Sequence, residues 1–163
     1  MKLSKLGEFG LIEHLAKKIK VNRRKVLVGI GDDAAVLRAR KDKVLIFTTD
    51  TLIENIHFKI KNCSFYDLGY RAIAVNISDI AAMGGYPTSA LITLGLPKRI
   101  KVELIDDLYK GINEIAKRFK IDIVGGDVVA SPKEMVIGVA LLSEVEENLL
   151  LQRSGARVGD CLL

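Results

Sequence analysis

Tryptophan is absent from this chain, cysteine and histidine occur only twice each, and proline three times. Cys63 and Cys161 stand far apart and form no C-x-x-C unit, so they read as free thiols of a reducing compartment rather than a disulfide framework. With so few thiols and imidazoles, a zinc centre is disfavoured. No apolar run approaches the roughly 20 residues that cross a bilayer. The opening Met1-Lys2-Leu3-Ser4-Lys5 has no apolar stretch behind it. Neither a membrane span nor a signal peptide is expected, and the expected location is the cytoplasm. Two phosphate-handling signatures are missing as well. There is no G-x-x-x-x-G-K-[ST], so this is not a P-loop protein, and no G-x-G-x-x-G-x-V with H-R-D, so it is not a protein kinase.

What remains is a globular profile: 163 residues, 49% hydrophobic and 28% charged, enough for one domain with a real core and short for two. The net charge is +5, with basic residues concentrated in 17–25 and 38–43. Neither run is interleaved with aromatics, and both adjoin the ends of expected elements. A solvated charged surface, as in heat-adapted proteins, is the first reading of them; attraction for an anionic small substrate is the second, and nucleic acid the third.

The hydrophobic periods predict an α/β (or α+β) domain. It has a mixed sheet of about four or more strands, three helices, and helices packed on one sheet face. Phe9, Ile12, Leu15, Ala16 and Ile19 share a helical face. Strands are expected over 25–30, 34–39, 44–49, 89–96, 121–124 and 135–142. Ser64-Phe65-Tyr66-Asp67 has the form of a helix N-cap with an acid three residues on, and that helix should stop at Gly84-Gly85. A third helix over 102–120 should bury Leu104, Leu108, Ile112, Ile115 and Phe119. The tail over 153–160 is turn-like, and the apolar Cys161-Leu162-Leu163 reads as a strand cut off at its start. We therefore expect an ATP- and magnesium-binding domain over 1–150, with 151–163 opening a linker or second domain.

Carboxylates stand at four places where folding alone would not put them. They are Gly29-Ile30-Gly31-Asp32-Asp33, Thr48-Thr49-Asp50-Thr51 at the end of an apolar strand, Asn76-Ile77-Ser78-Asp79 inside an apolar helix, and Gly125-Gly126-Asp127 at a strand end. Each has a plain alternative: a turn, a tight loop with a capping acid, a solvated notch. Together they suggest magnesium, which takes hard oxygen ligands and one or two carboxylates per ion, leaving water and phosphate oxygens to complete its shell. Glycines beside the acids let backbone N–H groups approach phosphate.

These residues, in this order, resemble the thiamine-monophosphate kinases, in the superfamily of aminoimidazole ribonucleotide synthetase. The matching stretches begin at Gly7-Glu8-Phe9-Gly10-Leu11-Ile12 and Gly29-Ile30-Gly31-Asp32-Asp33-Ala34-Ala35-Val36. They continue through 48–58 (T-T-D-T-L-I-E-N-I-H-F), 75–85 (V-N-I-S-D-I-A-A-M-G-G), Gly125-Gly126-Asp127 and Arg153-Ser154-Gly155-Ala156. The resemblance implies transfer of the γ-phosphoryl of ATP onto thiamine monophosphate. It implies Asp33, Thr48, Thr49, Asp50, Asp79 and Asp127 as magnesium ligands, with Asp50 and Asp79 catalytic. It places Tyr109, Gly126, Asp127 and Arg153 at ATP, although Tyr109 reads equally well as a core aromatic. His57 would face the thiamine phosphate. It further implies a homodimer whose paired sheets form a barrel, partnered by ATP and thiamine monophosphate and by neither nucleic acid nor membrane. Family members carry a second domain after the R-S-G-A segment. A related ATP-using enzyme with another acceptor, such as a purine-pathway synthetase or a selenide-activating enzyme, and a non-catalytic nucleotide-binding or dimerisation module are the competing readings.

Overall fold

Strict alternation of buried and exposed residues sets the sheet. In β6 (Val136–Glu146) the residues Ile137, Val139, Leu141, Ser143 and Val145 are buried while their neighbours are half-buried or exposed. The same period two runs along β3 (Lys43–Ile53), with Val44, Ile46, Thr48 and Leu52 inside, and along β4 (Tyr86–Leu96), with Ala90, Ile92 and Leu94 inside. A strand puts successive side chains on opposite faces, so each contributes one face to a common core. β1 (Val26–Val28), β2 (Ala35–Arg38) and β5 (Asp122–Ala130) complete a six-stranded sheet of order β1-β2-β3-β6-β4-β5. All neighbours are antiparallel except β4 and β5, which run parallel. These statements come from a computed structural model that describes residues 24, 26–28, 32, 34–39 and 42–161.

Two helices of the described residues cover the buried face. α1 (Phe65–Ala82) lies on β3, β6 and β4, and α2 (Val102–Phe119) packs along α1. Ile73, Ile80, Leu108, Ile112 and Ile115 are almost wholly buried between these layers, each stabilising the fold by about 1.5–3 kcal/mol. The two helices meet at glycine on both sides. A Cβ on Gly69 would lie 2.0 Å from the Leu108 carbonyl oxygen, and one on Gly111 would lie 1.9 Å from that of Tyr66. A hydrogen bond to Glu114 pushes the Tyr66 hydroxyl up to about 12, tying α1 to α2 at the rim.

The start of α1 is the one the sequence predicts. Ser64 is extended (φ −75°, ψ 152°), its Oγ accepts the Asp67 N–H at 3.0 Å, and it donates to Asp67 Oδ2 at 2.6 Å. Ser64→Ala therefore removes one satisfied helix-end donor and is expected to cost about 1 kcal/mol, read as a lowered urea midpoint. An unchanged midpoint would show that this cap carries no stability.

Several expectations need correction. The Thr48–Thr51 stretch does not end a strand, because β3 continues to Ile53 through β-branched residues that suit a pleated surface. Gly125-Gly126-Asp127 lies within β5, not at its end, for a steric reason given below. β4 begins at Tyr86 and β6 runs to Glu146, both longer than their apolar cores suggest. Phe119 is 40% exposed rather than part of the α2 stripe, and Leu104 is half-buried. Lys120 is the left-handed C-cap (φ 57°, ψ 42°) that turns the chain out of the helix. The expected first helix lies outside the described residues; the sheet of a single chain is open, and the expected barrel belongs to the paired sheets of a dimer.

The basic run at 38–43 is partly answered by acids. Arg38 faces Glu147 at 4.0 Å and Lys43 faces Glu144 at 3.1 Å. All four are about half exposed, so the pairs add little stability, but they make this run a mixed-charge surface instead of a cationic stripe. Cys63 and Cys161 are free thiols, and burial pushes the Cys63 thiol up, away from reactivity.

Candidate functional site

The helical carboxylate has a partner on the sheet. Thr48 is buried on the helix-facing side of β3, and its hydroxyl donates to Asp79 Oδ2 across the layer at 2.9 Å. Asp50 lies two residues further along the same face of β3 and is half-buried. One helical turn before Asp79, Asn76 is fully buried. Its Nδ2 donates to the Ala72 carbonyl at 3.1 Å, while Oδ1 has no partner. A buried orphan oxygen costs about 1–3 kcal/mol, so this part of α1 carries more polar capacity than folding uses. Thr48, Asp50, Asn76 and Asp79 thus offer hard oxygens from two elements.

The sheet register decides what else can join them. Asp50 pairs with Val139, Val139 with Ile92, and Ile92 with Gly126. Asp50 and the glycine pair therefore share one row of the sheet, but three strand spacings separate them, roughly 14 Å. Aspartates reach only about 3 Å beyond their Cα atoms, and magnesium binds oxygen at about 2.1 Å. One ion cannot touch both Asp50 and Asp127. Among the described residues, no three of His, Cys, Asp and Glu gather closely enough to hold a single metal ion. Donors fit magnesium only in the form it prefers, with one or two carboxylates per ion and phosphate oxygens between them.

Gly126 is the point of closest approach. A Cβ there would sit 1.8 Å from the Ile92 carbonyl oxygen, so only glycine lets β5 pass this register beside β4. This is why Gly125-Gly126-Asp127 continues the strand rather than turning out of it. Asp127 is exposed and pairs with Thr93. Thr49 points to the opposite face from Thr48, where its hydroxyl donates to the Val139 carbonyl at 2.8 Å. Tyr109 is half-buried against the core. The Arg153 N–H lies 3.4 Å from Asp32 Oδ2, bringing the tail to Asp32. Asp33 itself lies outside the described residues.

Beyond β3 the chain makes a tight turn that carries His57. Asn55 is left-handed (φ 65°), its N–H donates to the Phe58 carbonyl at 2.7 Å, and the His57 N–H donates to Ile53 O at 2.8 Å. Sequence reasoning assigned Glu54 no role, yet it is the buried anchor of this turn. Its Oε2 accepts the Met135 N–H at 2.9 Å and pairs with the Arg99 guanidinium, which also donates to the Lys133 carbonyl. Its partners are distant in sequence, so nothing near Glu54 signals this role. Burial pushes the Glu54 carboxyl up, but the Met135 N–H and the Arg99 hydrogen bond and charge outweigh it, leaving the group below the usual carboxylate range.

A carboxyl whose pKa is lower folded than unfolded stabilises the fold above the unfolded value, about 4.3 for Glu, and that contribution is lost as pH falls through the folded value. We expect the chain to melt higher than Glu54→Gln at pH 7, and the gap to narrow as pH falls below the unfolded value of about 4.3. A constant gap across that range would remove Glu54 from the acid response.

Known proteins resemble this chain along most of its length. The thiamine-monophosphate kinase of Bacillus subtilis (strain 168) is 40% identical over 155 residues, covering 95% of this chain and 47% of that protein. The thiamine-monophosphate kinase of Aquifex aeolicus (strain VF5) is 38% identical over 160 residues, covering 98% and 49%. Among solved structures, AaThiL complexed with AMPPCP and TMP matches with a TM-score of 0.87 at 38% identity, over 98% of this chain and 48% of that one. The chain thus spans about half the length of the curated relatives it matches. The model of the AIR synthase related protein, N-terminal domain, matches residues 31–145. That stretch holds Asp50, Asp79, Gly126 and Asp127 together with most of the sheet, and on it the chain belongs to the AIR synthase related protein N-terminal domain family.

Proposed function

We propose that this chain is the ATP- and magnesium-binding part, over residues 1–150, of a kinase that converts thiamine monophosphate and ATP into thiamine diphosphate and ADP. The observation that carries the reading is the polar cluster of Thr48, Asp50 and Asp79, built from β3 and α1 on the buried side of the sheet. The likeness to relatives named for this activity supports it.

In this reading Asp33, Thr48, Thr49, Asp50, Asp79 and Asp127 hold magnesium. Asp50 and Asp79 would hold ions shared by donor and acceptor, and Asp127, more than three strand spacings from Asp50, would need a separate ion. Gly126, Asp127, Tyr109 and Arg153 meet ATP, and His57 meets the thiamine phosphate. Bound magnesium would supply charge neutralisation for the two phosphate groups. The acceptor phosphate is already ionised, so no strong base is needed; the barrier is repulsion between anions and the cost of aligning them in line. Thr48 orients the Asp79 carboxylate by donating to Oδ2.

The open sheet face supports pairing with a second copy. Phe47 (42% exposed) pairs with Leu142, and Ala140 with Leu91 (44% exposed), forming an apolar strip on the side away from the helices. A homodimer with facing sheets would cover it. No helix of the described residues is long and apolar enough to cross a membrane. We place the protein in the cytoplasm, acting on small molecules rather than on nucleic acid or membrane.

Incubating the chain with magnesium-ATP and thiamine monophosphate, alone and together with the C-terminal half of the Bacillus subtilis relative, tests the reading. Thiamine diphosphate and ADP should accumulate in equal amounts in the second case at least. ADP without thiamine diphosphate, or no product in either case, would overturn it in favour of another acceptor or a binding module.

A further inference from the structure

Asn76 is a polar group that folding leaves unexplained. It stands in α1 three residues before Asp79 and is fully buried, and its Oδ1 has no partner among the described residues. The amide can sit only one way round. A carbonyl oxygen only accepts, so the atom that meets the Ala72 carbonyl at 3.1 Å is Nδ2, and the atom turned away from it is Oδ1. Asparagine is a mediocre helix former, and an apolar side chain of the same shape would serve the core at least as well. Three contacts fix the level at which this oxygen stands. Arg71, early in α1, reaches the turn beyond β3 at the His57 carbonyl; Asp79 meets Thr48; and a Cβ on Gly85 would touch both Ile80 and Ile46. α1 therefore runs opposite in sense to β3, and a step from Thr48 to Asp50 corresponds to a step back from Asp79 towards Asn76. The strand step is about 6.6 Å and the helix step about 4.5 Å. Asn76 and Asp50 thus lie on the same side of Asp79 and nearly level with each other.

We propose that Asn76 is a positioning residue of the magnesium site, its Oδ1 accepting a hydrogen bond from a water molecule in the shell of the ion that Asp50 and Asp79 hold. The proposal rests on the magnesium reading given above. Magnesium held by one or two carboxylates keeps several waters, and each of them needs acceptors for its protons. A neutral amide oxygen accepts such a proton without burying a further charge. Partners of this outer kind orient the groups bound to a metal and strengthen its binding. The oxygen that is a burden to the unliganded fold becomes satisfied when the ion is bound.

Asn76→Leu keeps the shape of the side chain and removes both polar atoms. In EDTA its thermal midpoint should equal or exceed that of the parent chain, because an unsatisfied oxygen has gone. With ATP held fixed and no thiamine monophosphate present, magnesium is then titrated and the midpoint followed. The magnesium concentration giving half of the rise should be about tenfold higher in Asn76→Leu than in the parent. Should leucine not fit, Asn76→Ala adds no bulk and should show the same loss. In NMR of the nitrogen-labelled parent, the side-chain amide signals that vanish in the variant belong to Asn76, and they should shift when magnesium joins the ATP-bound chain. A magnesium response equal to the parent's, or a midpoint lowered equally with and without magnesium, overturns the proposal and leaves the magnesium reading standing. A parent chain whose midpoint magnesium does not raise in the presence of ATP overturns both.

Discussion

In Asp79→Asn, the proposed stabilisation by magnesium-ATP is expected to vanish from the thermal midpoint, and phosphoryl transfer by the proposed kinase is expected to fall by about 10²–10³-fold. Asparagine has the same shape as aspartate and still offers an oxygen to the Thr48 hydroxyl, so the contact at 2.9 Å survives and the unliganded fold stays within about 1 kcal/mol of the parent. What disappears is the negative charge that fixes a divalent cation. Ligand stabilisation follows the logarithm of concentration over Kd, so losing an ion ligand reads out as a vanished midpoint shift even without turnover. Thermal scans with and without magnesium-ATP, beside a product assay, separate the two effects. An undiminished midpoint shift with full turnover would remove Asp79 from the site.

Gly111→Ala and Gly69→Ala are each expected to be strongly destabilising. Each added methyl would meet a backbone carbonyl of the facing helix, at 1.9 Å for Gly111 and 2.0 Å for Gly69, where real contacts stay beyond 3.0 Å. Backbone cannot rotate aside as a side chain does, so α1 and α2 must separate along their contact. Overpacking of this kind costs about 3 kcal/mol, which for a domain of this size lowers the melting midpoint by roughly 10 °C. The damage extends to the site, because α1 also carries Asp79 and Arg71. Denaturant titration measures the loss; a change under about 1 kcal/mol would mean that the helices slide freely.

Local signals predicted the local structure. Ser64 and Asp67 announced the start of α1, Gly84 (φ 75°) its end, and alternating β-branched residues announced β3 and β6. Asp50 and Asp79 were marked out because isolated acids in apolar elements conflict with burial, and the structure brings Asp79 to Thr48. Less legible was whatever depends on distant partners. Glycines usually read as turns, and nothing near Gly126 in sequence reveals the Ile92 carbonyl that demands glycine within a strand. Glu54 is held by Arg99 and Met135, 45 and 81 residues away, so its burial had no local sign. The apolar spacing placed Phe119 on the α2 stripe, but the left-handed cap at Lys120 ends the helix where its last turn has left the core.

The position of β6 has a consequence for how this molecule comes into being. It is the last strand in chain order, yet it lies between β3 and β4, pairing with β3 over residues 43–53 and with β4 over residues 86–95. Until residue 146 leaves the ribosome, β1–β3 and β4–β5 are two loose ribbons with no shared ladder. Long-range pairing of this kind is slow to nucleate, so each nascent copy passes through a stage with two exposed strand edges. Asp50 and Gly126 acquire their common row only when that central piece zips both ribbons together. A polypeptide halted before residue 136 would therefore possess Asp50, Asp79 and Asp127 and no means of aligning them.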